Sequence, residues 1–313
     1  MATLMEKFVV TCLLCSLVLI TYKSLFGHNR RSISTFESPH GQWSPATSDL
    51  LDGCYHVYLD VGTNVGVQVR KLFEPSRYPD ASVLKVFKKE FGQSRSTNLA
   101  SKSVCAVGFE PNAQHTRHLQ ELERTYKKCG YSVHFFTETA VSDHSGTATF
   151  YAGSDNSRID AAGGIMHPSI SKQARLRATK TRKTSTQVML VRLADFLRDT
   201  VAKRRIPEVD PERPPRVVMK MDIEGSEVEV VADLISSGSI RFVNVMMAEW
   251  HERYQLKPER LQLSTELKAL TENHTAICSK TNILSQDSNG CDFENIEMDD
   301  ETYASSEIPL PKC

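Results

Sequence analysis

From Tyr55 onward, short apolar and β-branched runs alternate with longer amphipathic stretches. Short runs of that kind read as strands, and apolar positions three and four residues apart read as helices. The pattern predicts strands at His56–Asp60, Val104–Phe109, Ser132–Phe136, Val217–Met221 and Phe242–Ala248. It predicts helices over His115–Lys128 and Glu227–Ser236, and a further strand pair at Ala148–Tyr151 and Gln187–Val191. Strands separated by helices form a parallel sheet covered on both faces, an α/β fold. The acidic tail from Asp287 is expected at the periphery.

The chain before Tyr55 has a different texture. Phe8 to Phe26 is mostly apolar, interrupted by Lys23 and Ser24. That is the short end of what crosses a bilayer, about 17 to 25 residues. Residues 1–27 are read as a signal anchor, with a cleaved signal peptide or an interfacial helix as alternatives. The Gly27-His28-Asn29 stretch is a poor cleavage site, which favours retention. Residues 28–52, with Pro39, Gly41, Pro45 and many serines, read as a stalk. Residues 53–313 are left for one domain, with its core at about 55–285. Lys23 near the end of the apolar segment, and Arg30 and Arg31 after it, favour a cytosolic body. The sequon Asn273-His274-Thr275 favours a lumen. A single-pass protein facing the lumen of the Golgi or endoplasmic reticulum is the expectation.

Composition narrows the job. Lys plus Arg and Asp plus Glu are 38 each, so the net charge is zero and no nucleic-acid partner is expected. Eight Cys in 313 residues are too few for a disulfide scaffold. Six of them lie beyond the anchor, an even number that permits bridges without requiring them. Neutrality hides one local excess. Lys172, Arg175, Arg177, Lys180, Arg182 and Lys183 lie within a Gly-containing stretch, residues 153–186, read as a loop or lid. Those cations make either a solvated loop or a surface for an anionic ligand.

Four motifs stand at predicted strand ends, where open α/β sheets bind ligands. Asp60-Val61-Gly62-Thr63-Asn64-Val65-Gly66 follows the first strand, and its glycines allow a tight turn close to a ligand. It differs from the dinucleotide fingerprint, because Asn64 stands where the second glycine would be. Phe109-Glu110-Pro111 ends the second strand with an acid suited to ribose hydroxyls. Ala140-Val141-Ser142-Asp143 precedes Gly146 and the next strand. Lys220-Met221-Asp222-Ile223-Glu224-Gly225-Ser226-Glu227 closes the fourth, and Glu249 and His251 end the fifth.

In this order the four motifs resemble the FkbM family of S-adenosylmethionine-dependent methyltransferases, over about Tyr55 to His251. Val191-Arg192-Leu193-Ala194-Asp195-Phe196-Leu197 fits the family's segment before the fourth motif. The resemblance implies a doubly wound, Rossmann-like class I methyltransferase fold with a mostly parallel seven-stranded sheet. It implies S-adenosylmethionine as cofactor and a hydroxyl acceptor on a glycan or small metabolite. One departure is length: 43 residues separate Gly66 from Glu110, so Phe73 to Ser103 must hold an inserted helix or loop.

On that reading Asp60, Gly62, Asn64 and Gly66 wrap the amino-acid end of the cofactor. Glu110 holds the ribose, and Ser142 and Asp143 lie near adenine. Lys220, Asp222, Glu249 and His251 are the catalytic candidates. A hydroxyl attacks poorly while it holds its proton, so a base is useful. His251 is one candidate and Asp222 another, with Lys220 lowering the hydroxyl's pKa by its charge. The reading requires no metal, although Asp222, Glu249 and His251 have the chemistry to bind a divalent ion. Glu227, in the first turn of its helix, suits the macrodipole. A membrane-anchored glycosyltransferase, using Asp222-Ile223-Glu224 as a distorted D-x-D, is the alternative. A cofactor-binding protein without turnover is a third.

Overall fold

The computed structural model describes residues 49–92, 103–152, 163–165, 184–208, 214–252, 257–273, 277, 292–297 and 309–311. The proposed anchor, most of the stalk and the basic run Lys172 to Lys183 lie outside the described residues. Among the described residues, no helix is long and apolar enough to cross a membrane.

The main sheet has six strands: β1 (His56–Val61), β2 (Val104–Glu110), β3 (Ser132–Thr137), β8 (Val217–Met221), β9 (Val245–Ala248) and β10 (Glu294–Glu297). Their order is β10-β9-β8-β1-β2-β3. Every pairing within it is parallel. Side chains alternate across the two faces of a strand. Tyr58, Ala106, Val218 and Met247 face one core. Leu59, Val107, Met219 and Met246 face the other.

Helices cover both faces. α1 (Val67–Phe73), α2 (Val83–Phe91) and α3 (Thr116–Lys128) pack Leu72, Phe87 and Leu122 on the first core. α4 (Leu193–Phe196), running on as a π-helical turn to Val201, covers the second together with α5 (Glu227–Ser236) and α6 (Pro258–Glu272). These supply Phe196, Leu234 and Leu267. The fold is thus the expected doubly wound α/β sandwich, and α2 fills part of the insert between Gly66 and Glu110.

Three expectations need correction. The sheet has six strands among the described residues, not seven. The chain leaves it after β3 through Glu138, whose φ of 53° turns the backbone aside. It then builds a separate sheet from β4 (Thr139–Ser142), β5 (Gly146–Ala152), β6 (Gly163–Ile165) and β7 (Thr184–Arg192), in the order β4-β7-β5-β6. The predicted strand pair is its centre and runs antiparallel, with Gly146 opposite Leu190.

The fifth strand begins at Val245 rather than Phe242, because a 3₁₀ turn over Ser239–Phe242 follows the left-handed Gly238. The acidic tail is more than a fringe, since it supplies edge strand β10 and buries Phe293. Charge on an edge strand discourages pairing with another chain. Here two lysines from opposite layers cover that charge. Lys89 of α2 meets Glu294 at 2.6 Å, and Lys268 of α6 meets Glu297 at 2.6 Å.

A disulfide joins Cys54, just before β1, to Cys105 in β2, with 5.7 Å between the Cα atoms. Cys129 is disulfide-bonded as well. The Cys54–Cys105 bridge closes a loop across 51 residues. In the chain-entropy picture such a loop is worth about 4 kcal/mol at most. Replacing both cysteines by serine should lower unfolding free energy by about 2–4 kcal/mol in urea titration. An unchanged midpoint would show that the bridge contributes nothing to the fold.

Candidate active site

Two groups of functional side chains meet at the carboxyl ends of β1, β2, β8 and β9. The first is the turn after β1. Gly62 has φ of 87°, and a Cβ there would sit 1.8 Å from the Asp222 carbonyl oxygen. Only glycine lets this turn lie directly on the end of β8. Asn64 has φ of 53°, in the left-handed region. Asparagine is among the few non-glycine residues that enter it readily. That explains how Asn64 replaces the second glycine of the dinucleotide pattern.

Glu110 ties this turn to the next strand. Its Oε2 accepts the Asn64 N–H at 2.6 Å, and its Oε1 accepts the Asn112 N–H at 2.8 Å. The His115 ring lies 3.5 Å from the same carboxylate. Each carboxylate oxygen keeps acceptor capacity beyond these bonds.

Asp60 is fully buried. Its Oδ2 has no hydrogen-bond partner among the described residues, and Tyr58 Oη reaches Oδ1 only at 3.5 Å. Burial pushes its carboxyl up to about 7, and the nearby Lys220 ammonium offsets part of that rise. A buried acceptor left over in this way is costly unless a ligand meets it.

The second group gathers around His251. The strand register sets Lys220 beside Asp60. Lys220 Nζ donates to Asp222 Oδ2 at 2.7 Å and to the Gly62 carbonyl at 3.4 Å, so it joins the two groups. Burial works against the Lys220 charge, but Asp222 and Asp60 outweigh it and hold this lysine above its ordinary value.

Beyond Asp222 the chain turns through Glu224, at φ of 55°. His251 Nε2 lies 3.2 Å from Glu249, 3.6 Å from Glu224 and 3.7 Å from Asp222. Its Nδ1 lies 2.8 Å from Glu227 Oε1. Burial disfavours the imidazolium, yet Glu227 first and then Glu224 and Asp222 raise it to about 9. Asp222, Glu224 and His251 each bring one polar atom within 4.8 Å of the others, a spacing that suits a shared cation.

Asp60, Gly62, Asn64, Gly66 and Glu110 therefore form one unit, and Lys220, Asp222, Glu249 and His251 form another beside it. Ser142 and Asp143 close β4 in the second sheet. Ser142 Oγ donates to Asp143 Oδ1 at 3.1 Å, and the same oxygen lies 2.7 Å from His144 Nδ1. Burial opposes the Asp143 charge, but His144 and Ser142 hold its carboxyl below the usual range.

Two contributors escaped the sequence reading. The Asn112 amide fixes Glu110. Glu227 reaches His251 instead of only complementing its helix. The acid at Glu227 was visible in the motif, but its contact spans 24 residues and two elements.

A parallel doubly wound sheet, with a glycine turn on its first strand and an acid on its second, defines an α/β domain of the nucleotide-binding type. Residues 60–278 match the Methyltransferase FkbM domain, and the chain belongs to that family. No curated protein and no solved structure matches the chain.

The His251 shift has a stability consequence. The folded value of about 9 lies above the ordinary 6.5. This group's contribution is therefore complete below about pH 6.5 and is lost as pH rises through 9. Its size is at most roughly 3 kcal/mol. The stability difference between wild type and His251→Gln, followed by urea unfolding from pH 6 to pH 10, should shrink across that window. A constant difference would mean that His251 is not charged in the fold.

Proposed function

We propose that this chain is an S-adenosylmethionine-dependent O-methyltransferase acting on a hydroxyl of a glycan or small metabolite. Family membership supports methyl transfer. The observation that carries the cofactor is the buried, unpartnered Oδ2 of Asp60 beside the left-handed turn from Gly62 to Gly66. An acceptor group in that position fits an ammonium, and Glu110 beside it fits the two hydroxyls of a ribose. Ser142 and Asp143 would border the base. These residues fit S-adenosylmethionine, which supplies when bound an electrophilic methyl on a sulfonium.

The chain's own residues divide the remaining work. Asp222 and Glu249 are each about one-quarter exposed, whereas His251 is nearly closed off. The two carboxylates therefore face an acceptor, and His251 stands behind them. Asp222 receives the acceptor hydroxyl's proton. Lys220, bonded to Asp222, balances the charge that develops on the acceptor oxygen. Glu249 accepts a second hydroxyl and orients the acceptor. The glycosyltransferase alternative leaves Asp60 and Glu110 without a role, and the family match runs against it.

The buried Cys54–Cys105 bridge supports an oxidising compartment. It accords with a lumenal domain held by the apolar segment from Phe8 to Phe26, which lies outside the described residues.

Calorimetry with S-adenosylhomocysteine should detect binding to wild type. Glu110→Ala should weaken it about tenfold to a hundredfold, the worth of a hydrogen bond to a charged group. No binding by wild type, or unchanged binding by the variant, sinks the cofactor assignment. Asp222→Asn should lower turnover about 10²- to 10⁴-fold and leave cofactor affinity nearly unchanged. An untargeted search for methylated products with isotopically labelled cofactor identifies the acceptor for that measurement. Equal losses of turnover and affinity would move Asp222 into the cofactor site. Asn273 is exposed at the end of α6 and opens the sequon. In a lumenal domain it should carry a glycan, seen as an endoglycosidase-sensitive mobility shift that Asn273→Gln abolishes. A wild-type chain with no such shift counts against lumenal exposure.

A further inference from the structure

We infer that Glu227 is a positioning residue, which locks the His251 ring so that Nε2 faces the carboxylates of Asp222, Glu224 and Glu249. The inference rests on the methyltransferase reading for its consequence, but its geometry stands without it.

Glu227 is 1% exposed, as deeply buried as the apolar core. An ionised carboxylate in such a place is tolerated only when donors surround it. The donors come from two segments. Oε1 accepts the Ile223 N–H at 3.1 Å, and Oε2 accepts the Gly225 N–H at 3.0 Å. Oε1 also lies 2.8 Å from His251 Nδ1. One side chain at the start of α5 therefore holds the turn after β8 and the residue that follows β9.

An acid in a first helical turn often serves only the macrodipole. Such an acid gains little from burial and has no need of an imidazole. The His251 contact is what separates Glu227 from that role. An ionised carboxylate only accepts hydrogen bonds, so the proton between the two groups belongs to Nδ1. Nδ1 is thereby used up on the buried side. Nε2 is left toward Glu249 at 3.2 Å, Glu224 at 3.6 Å and Asp222 at 3.7 Å.

Among the described residues, the charged groups around the ring are Glu227 from α5, Asp222 and Glu224 from the turn after β8, and Glu249 from the end of β9. Lys220 stands behind Asp222. A ring flip would put a carbon where Nδ1 stands and forfeit the bond to Glu227. The consequence for the reaction is indirect. His251 keeps Asp222 and Glu249 together at the mouth despite their like charge, and Glu227 keeps His251 in place to do so.

The test is long-range ¹H–¹⁵N NMR of the His251 ring in the full-length, ¹⁵N-labelled chain. Wild type should show Nδ1 protonated and protected from exchange. Glu227→Gln keeps the shape and loses the charge. It should shift the ring ¹⁵N signals and weaken the protection of the Nδ1–H. Glu227→Asp keeps the charge but shortens the reach. It should also weaken the protected Nδ1–H signal, and it decides the matter should the glutamine variant not fold. A merely structural role would change the melting temperature and the protection of the Ile223 and Gly225 amides, and leave the ring signals as they were. Unprotonated Nδ1 in wild type, or ring signals unmoved by the folded variants, overturns the inference. S-adenosylhomocysteine binding to the same samples separates the two readings. Its absence in wild type rejects the cofactor assignment, whereas the ring signals alone judge Glu227.

Discussion

The site depends on one close contact between two strand ends. The backbone of Gly62 lies so near the Asp222 carbonyl that no side chain fits between them. β1 pairs with both β2 and β8, so the turn after β1 is flanked on each side. On one side it meets Glu110, and on the other the acidic turn that carries Asp222. Lys220 Nζ spans the same junction, bonded to both the Gly62 carbonyl and Asp222. A bulkier residue at Gly62 would force the turn away from β8 and separate the unit around Glu110 from the one around Asp222.

Four carboxylates near this junction have four different environments. Asp60 is buried with one oxygen unmet, which raises its carboxyl. Glu110 is buried and accepts one backbone amide on each oxygen, with acceptor capacity left. Glu227 is buried and filled by amides and an imidazole. Asp222 is partly exposed and bonded to a lysine. Their roles follow from what each has left to give. A filled carboxylate orders its neighbours, an unmet one awaits a donor, and a partly exposed one can meet an acceptor molecule. The positive charges of Lys220 and His251 make so dense a group of acids compatible with folding.

The scaffold around the junction is closed by features far along the chain. β10 seals the open edge of the main sheet, and Lys89 and Lys268 cover its charge from opposite layers. Arg70 of α1 donates to the Pro309 carbonyl at 2.8 Å, so the end of the described chain returns to the helix that follows the glycine turn. The Cys54–Cys105 bridge holds the segment entering β1 against β2. The last two of these contacts restrain elements whose ends carry site residues: α1, which follows Gly66, and β1 and β2, which carry Asp60 and Glu110.

The sequence by itself determined the α/β class, the doubly wound arrangement and the family. β8 and α5 run over the very residues their apolar spacing indicated, because strand and helix periodicities are local properties of the chain. The motif acids and glycines were legible for the same reason, since each sits at the end of such an element. Tertiary structure decided what local pattern cannot carry. Among the described residues the main sheet has six strands, and the chain leaves it after β3 through Glu138, where a single non-glycine residue gives little warning of positive φ. The acidic tail became a strand because β9 offered it an edge, though its own sequence reads as solvent-loving. Above all, Glu227 looked like a helix-start acid until the fold set His251 against it. Hydrogen bonds between residues distant in sequence depend on which strand ends become neighbours, and only the folded sheet order makes that choice.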